Sequence, residues 1–171
     1  MQEAYDYPIN RSRYSEKKST VEIFSIEPKA TVFEALKRMA IHNVGALLVI
    51  REGILVGIVS ERDYARKVIL SNRTSRNTLV SEIMSSKVYY ALIDDTAEQC
   101  LSVMSQKHVR HLPVYDHNKI IGVISMGDVV SVIITDKQFE LDTLLQYVTG
   151  PVQAALWQTV HPLAPRMMTC N

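Results

Sequence analysis

Residues 30–69 read ATVFEALKRMAIHNVGALLVIREGILVGIVSERDYARKVI, and residues 95–134 read DTAEQCLSVMSQKHVRHLPVYDHNKIIGVISMGDVVSVII. Slid sixty-five positions along, the first stretch lies on the second without a gap. Thr31, Leu36, Met39, Val44, Leu47, Val49, Gly57, Ser60, Asp63 and Ile69 fall on Thr96, Leu101, Met104, Val109, Leu112, Val114, Gly122, Ser125, Asp128 and Ile134. Most other pairs keep their apolar or polar character. An internal repeat of this kind marks a fold built from two copies of one supersecondary unit.

Each copy can be read outward from its ends. Val21 to Ile26 is a β-like run stopped by Pro28. Thr31-Val32-Phe33-Glu34 and Thr96-Ala97-Glu98-Gln99 are capping boxes. Each opens an amphipathic helix, with Val32, Leu36, Met39 and Ala40 on one apolar face and Ala97, Leu101 and Met104 on the other. Two strands follow in each copy. Ala46–Ile50 and Leu55–Ser60 flank Arg51-Glu52-Gly53, and Leu112–Tyr115 and Ile120–Ser125 flank Asp116-His117-Asn118-Lys119, connections that suit hairpins. A second helix then runs over Arg62–Leu70 and over Gly127–Ile134.

The unit is therefore β-α-β-β-α, and the fold class is α/β (α+β). A lone three-stranded sheet with two helices leaves one apolar face bare. The two repeats are expected to pack through their sheets with pseudo-two-fold symmetry. The expected organisation is an N-terminal arm at 1–18, a first domain with its connector at 19–78, and a second at 79–136. A C-terminal helix at 137–150 is expected to stop at Gly150-Pro151. No fold is assigned to the tail at 151–171, which holds Trp157.

Bulk properties narrow the function classes. The 171 residues carry a net charge of +1 with 47% hydrophobic residues, enough for a sizeable core and no basic field for nucleic acid. No run is long enough to span a bilayer, and the first residues lack a secretory pattern, so no membrane or nucleic-acid partner is expected. Cys100 aligns with Ala35 and reads as a small core residue, and Cys170 as a free thiol. Neither has metal or redox spacing, which favours a reduced, cytoplasmic protein.

The chemistry lies in the duplicated signature Gly57-Ile58-Val59-Ser60-Glu61-Arg62-Asp63 and Gly122-Val123-Ile124-Ser125-Met126-Gly127-Asp128. In each, a strand ends at Ser and a helix begins. The unpaired N–H groups of a helix start favour an anion. Ser60 and Ser125 can donate to a phosphate oxygen. Asp63 and Asp128 can accept from two vicinal hydroxyls, which is what a ribose presents. The same residues equally suit plain helix capping, with Ser as N-cap and Asp in the first turn. Arg62 and Arg66 could reach a phosphate or simply form a charged helix face.

With Val44-Gly45-Ala46-Leu47-Leu48-Val49 and Arg110-His111-Leu112-Pro113-Val114 added, residues 21–134 resemble a tandem pair of CBS domains, a Bateman module. The resemblance implies a regulatory module that binds an adenosyl ligand in clefts between the repeats. AMP, ADP and ATP are the first candidates, with NAD and S-adenosylmethionine also admitted. It implies that Asp63 and Asp128 hold ribose, that Ser60 and Ser125 meet the first phosphate, and that Arg110 and His111 add basic phosphate contacts. The adenine would lie against Ile23, Phe24, Ser25, Val88, Tyr89, Tyr90, Ala46 and Pro113. Of Tyr89 and Tyr90, one is expected in the core. The usual Thr/Ser-Pro step is replaced at the second strand by Ala91-Leu92-Ile93.

No nucleophile elbow, P-loop, zinc motif or Cys/His cluster is present, so no enzyme is expected. The alternative function is a ligand-free adaptor that acts by protein–protein contact. A homodimer is expected because Tyr64-Ala65-Val68-Ile69 and Val129-Val130-Ile133-Ile134 are too apolar to face water on all sides. The protein it regulates is not identified by any motif.

Overall fold

The computed structural model describes residues 23–160, with side chains through 147. The expectations for the 1–18 arm, Val21, the Trp157 side chain and Cys170 lie outside the described residues.

The first repeat comprises β1 (Ser25–Ile26), α1 (Val32–His42), β2 (Ala46–Arg51), β3 (Ile54–Ser60) and α2 (Glu61–Tyr64), which runs on into a π-helical turn, Ala65–Ile69. The connector runs past the expected boundary at 78 and holds a short helix, α3 (Val80–Ile83). The second repeat comprises β4 (Ala91–Leu92), α4 (Ala97–Lys107), β5 (His111–Asp116), β6 (Lys119–Ser125) and the start of α5 (Met126–Val160). The β-α-β-β-α order stands in both copies. Backbone packing groups the chain up to Val129 as one compact unit and the chain from Val130 as another. No helix among the described residues is long and apolar enough to cross a membrane.

The expected caps form. Thr31 Oγ1 accepts from the Glu34 amide at 3.2 Å, and Glu34 accepts from the Thr31 amide at 2.8 Å. Thr96 and Gln99 repeat the pattern. These bonds hold the Glu34 carboxyl below its ordinary range, the Thr31 backbone bond first among the causes. α1 and α4 both end in a left-handed residue, Asn43 and His108, at matching positions.

Each sheet has three strands, with β2 and β5 in the centres. β1 and β4 pair parallel to them, and β3 and β6 antiparallel. Ala46 faces Ser60 and His111 faces Ser125, and both hairpins carry an irregularity at the same place, Val49/Ile50 and Val114/Tyr115. Two prolines make the copies differ. Leu48 donates its amide to Phe24 C=O at 3.1 Å, a bond that Pro113 at the equivalent position cannot make. Ile93 donates to Tyr115 C=O at 2.9 Å, a bond that Pro28 at its equivalent position cannot make. The Ala91-Leu92-Ile93 departure thus leaves the second sheet paired by a different set of bonds.

Successive strand residues point to opposite faces. Leu47 and Val49 pack in the first core with Ile26, Val32, Ala35, Met39, Val59 and Val68. Val80 and Ile83 of α3 join this core. Leu48 points the other way and is also fully buried, so β2 is covered on both faces. In the second repeat Leu112, Pro113 and Val114 are buried in the same alternation.

Three expectations are corrected. The helices read at Gly127–Ile134 and 137–150 are one continuous helix, because nothing between Ile134 and Lys137 breaks it. Gly150 and Pro151 do not end α5, which runs to Val160. Proline removes one hydrogen bond, and good helix formers on both sides (Leu144-Leu145-Gln146 and Gln153-Ala154-Ala155-Leu156) offset the loss. Neither Tyr89 nor Tyr90 is core: Tyr89 is half-buried and Tyr90 exposed.

Gly57 sits where the connector crosses β3. Ile58 and Ser85 exchange both backbone bonds, at 3.1 and 2.9 Å. A Cβ on Gly57 would stand 3.1 Å from Ser85 O and 2.8 Å from Met84 Sδ. Gly57→Ala is therefore expected to lower stability by about 1–3 kcal/mol, read as a fall in the urea midpoint at unchanged slope.

Candidate functional site

Both signature strands end in the same braced turn. Ser60 donates its amide and hydroxyl to Asp63 Oδ2 at 3.1 and 2.6 Å, and Asp63 donates its amide to Ser60 Oγ at 3.3 Å. The matching distances for Ser125 and Asp128 are 2.8, 2.7 and 3.2 Å. The capping geometry read from the sequence is therefore present in both copies. The first helical amide within each brace donates across to the residue before the central strand, Glu61 to Gly45 C=O at 3.1 Å and Met126 to Arg110 C=O at 2.9 Å. Positions 45 and 110 stand beside the helix starts for that reason, and Arg110 thereby lies next to the second brace.

His111 links the copies. A Cβ on Gly45 would stand 3.3 Å from His111 Nε2, so the absence of a side chain at Gly45 admits the ring. Burial pushes the His111 imidazole below its usual 6.5, and Arg110 adds to that. Asp128, Glu61 and Asp63 pull the other way but do not prevail. His111 is thus placed among acidic groups of both repeats. Arg62 crosses between them as well. Its Nη1 donates to His108 C=O at 2.9 Å, which gives Arg62 a structural use at the end of α4.

The two aspartates differ in what else they hold. Asp63 Oδ1 is 2.7 Å from Lys67 Nζ, and Lys67 also donates to Ile83 C=O at 2.5 Å. Among the described residues Asp128 Oδ1 has no hydrogen bond or ion pair beyond its brace. Val132 occupies the position that matches Lys67.

The residues expected around an adenine lie on β1, on the approach to β4, and on the central strands they pair with. Ile23, Phe24 and Ser25 line an open groove with Arg38 and His42 of α1, and neither Ser-Asp brace is part of its lining. The Phe24 ring stacks on His42 at 4.0 Å, and Arg38 donates to Ser25 C=O at 2.8 Å. Arg38 and His42 escaped the sequence reading, although their i, i+4 spacing on the polar face of a helix was visible. Val88 and Tyr89 are half-buried. The Lys87 and Lys107 ammonium groups lie 5.4 and 5.7 Å from the Tyr89 ring. Tyr90 meets Tyr115 edge-on at 5.4 Å. Ala46 is buried opposite Ser60, and Pro113 is buried in β5. The structure thus gathers Ser60, Asp63, Ala46, His111, Arg110, Ser125 and Asp128, and the Ile23–Ser25 segment runs beside β2, where it also lines the groove with Arg38 and His42.

No group of three or more His, Cys, Asp or Glu among the described residues could hold a metal ion. Cys100 is buried in the second repeat, as read. Burial, with the Asp95 charge behind it, pushes its thiol up to about 11.

A family profile described as CBS domain matches residues 19–70 and 80–135. The chain is 41% identical to a signal-transduction protein with CBS domains from Burkholderia ambifaria, with a TM-score of 0.69, covering 74% of this chain and 94% of that one. It is 38% identical over 125 residues to the mitochondrial CBS domain-containing protein CBSX3 of Arabidopsis thaliana, covering 70% of this chain. It spans about 61% of that relative's length. The CBS domain pair of protein MJ0100, solved with 5′-methylthioadenosine and S-adenosyl-L-methionine, shares the fold at a TM-score of 0.61 and 24% identity.

Two measurements check the site's chemistry. The native state resists protonating His111 more than the unfolded chain does, so it binds fewer protons. Stability should therefore fall as pH drops from 7 through the imidazole's usual range, and His111→Gln should flatten that slope in urea melts at pH 5 to 7. Native Cys100 should resist iodoacetamide at pH 8 while unfolded protein reacts, as mass spectrometry of the Cys100 peptide would show.

Proposed function

We propose a function from one premise: this chain belongs to the CBS domain family, as a tandem pair of its domains. Such a pair is a regulatory module, and its relatives are CBS domain-containing and signal-transduction proteins. Our reading is that it senses an adenosyl ligand and passes occupancy to a partner or to its own dimer, without catalysing a reaction. AMP, ADP and ATP are the preferred ligands, with NAD and S-adenosylmethionine next.

The observation that carries this reading is the duplicated brace beside Arg110 and His111. A Ser hydroxyl and amide stand next to an Asp carboxylate at the end of a strand. A ribose offers two donors for the carboxylate, and the adjoining phosphate offers acceptors for Arg110 while the Ser hydroxyl stays on its Asp. The MJ0100 pair shares only the fold at this identity, so its two ligands indicate what such a fold can hold.

One observation favours the adaptor reading instead. Both Ser hydroxyls already donate to their own Asp, which is sufficient as plain helix capping. Thermal melts of the full chain with each of the five compounds decide between the two. Ligand at one hundred times its dissociation constant adds about 2.7 kcal/mol, worth roughly 5–10 °C for a chain of this size. That shift is expected with at least one compound and should vanish in the Asp63→Ala/Asp128→Ala double variant. No shift with any compound favours the adaptor.

We place the protein in the cytoplasm on its cysteine usage, although one relative is mitochondrial by name. We also read it as a homodimer. Ile69 and Ile134 occupy equivalent positions and are 54% and 61% exposed, and Leu70 is exposed further still. Light scattering should report twice the chain mass for the native protein and a monomer for Ile69→Asp/Ile134→Asp.

A further inference from the structure

The repeat is symmetric in sequence at Asp63 and Asp128 but not in what their carboxylates are free to do. Each carboxylate has about four lone-pair sites, two on each oxygen. In both copies Oδ2 is filled by the Ser amide and hydroxyl. Oδ1 is then the only oxygen left for the two vicinal hydroxyls of a ribose. In the second repeat both of its sites are unclaimed among the described residues. In the first, Lys67 takes one at 2.7 Å.

The Lys67 side chain is 42% exposed, but its ammonium has a second partner. It also donates to Ile83 C=O at 2.5 Å, and Ile83 is fully buried in the first core. It belongs to the π-helical turn Ala65–Ile69, whereas the matching stretch of α5 is α-helical. A π-turn inserted into a helix changes the direction of the residues it carries. Its two partners, one on its own helix and one on α3, fix the ammonium between the brace and the connector. The second copy has Val132 at that position and no cation to offer.

We infer that Lys67 closes the first cleft to ribose, so that this chain binds one adenosyl ligand, at Asp128, and that Lys67 is the residue setting this stoichiometry. The inference rests on the adenosyl reading above. Arg110 and His111 belong to the same repeat as Asp128, so the cleft left open is also the one with basic groups at its own helix start. Asp63 serves as the cap and as the anchor of Lys67.

Equilibrium dialysis of the full chain against labelled AMP, and separately against labelled ATP and S-adenosylmethionine, tests this. The native protein should bind one equivalent per chain. Asp128→Ala should abolish binding, and Asp63→Ala should leave the Asp128 site filled. Lys67→Val, which copies the second repeat, should bind two equivalents. Lys67→Met keeps the aliphatic stem and should do the same, which guards against a folding defect in the valine variant. Two equivalents in the native protein, or loss of the single site in Asp63→Ala, overturns the inference and leaves the adenosyl reading standing. One equivalent in both Lys67 variants overturns the role given to Lys67. No binding of any probe by native protein and Lys67 variants alike overturns the adenosyl reading, and the inference with it.

Discussion

The structure depends on a central strand that is buried on both faces. Leu47, Leu48 and Val49 are successive residues of β2 and none is exposed. Their side chains alternate, so one α1-covered core cannot account for all three. Leu47 and Val49 belong to that core, and Leu48 needs a second cover. The same holds in β5 for Leu112, Pro113 and Val114. A single β-α-β-β-α unit cannot satisfy this, which is the physical reason for a duplicated chain. Duplication then fixes the chemistry. The strands that the hairpins add beside β2 and β5 end at Ser60 and Ser125, and His111 of one copy enters the space that Gly45 leaves in the other.

Much of this was legible in the sequence because the signals were local. Thr31 with Glu34 and Thr96 with Gln99 predicted both long caps, and the offset of the repeat carried over to the strand register, down to the irregularities at Val49 and Val114. The Ser-Asp braces were legible as caps for the same reason. The failures came where local rules met longer-range ones. Gly150-Pro151 read as a stop, yet the strong helix formers on either side carry α5 through. Tyr89 and Tyr90 read as alternating, one in the core and one exposed, but their strand pairs only at Ala91 and Leu92, so the inner one stays half-buried. Helix α3 is four residues long and lacks any periodicity to find. Its role, sealing the first core with Val80 and Ile83, exists only in three dimensions.

The Ser, Asp, Arg110 and His111 set comes together because each lies at one end of a central or hairpin strand. The Ile23–Ser25 segment was assigned to the site by resemblance, and it borders Arg38 and His42, which the sequence reading had not singled out. Arg62, read either as a phosphate contact or as part of a charged helix face, ties α2 to the end of α4. The Asp63-Lys67 pair was visible as an i, i+4 charge pair of the favourable orientation. Its meaning was not, because a surface pair of this kind contributes little by itself. What distinguishes it is the second bond to Ile83 C=O, which joins residues sixteen apart.

That second bond has a consequence for regulation. A duplicated module with two equal clefts responds to ligand twice in the same way. Here the carboxylate of one copy is coupled through Lys67 to the connector helix that completes the first core, and the carboxylate of the other has no such tie. Any group that draws Asp63 Oδ1 away from Lys67 also acts on the ammonium that Ile83 C=O holds, and so on the seating of α3. On the proposed reading, a ligand group at Asp128 would act instead on His111, whose charge balance includes Asp63 and Glu61 of the opposite copy. A ligand can shift an equilibrium only by its differential affinity for the two states. The two copies therefore offer different levers from nearly identical sequence, one reaching the connector and one reaching across the repeat interface. Function in such a duplication is written in the few positions where the copies diverge: Gly45 against Arg110, Ala46 against His111, and Lys67 against Val132.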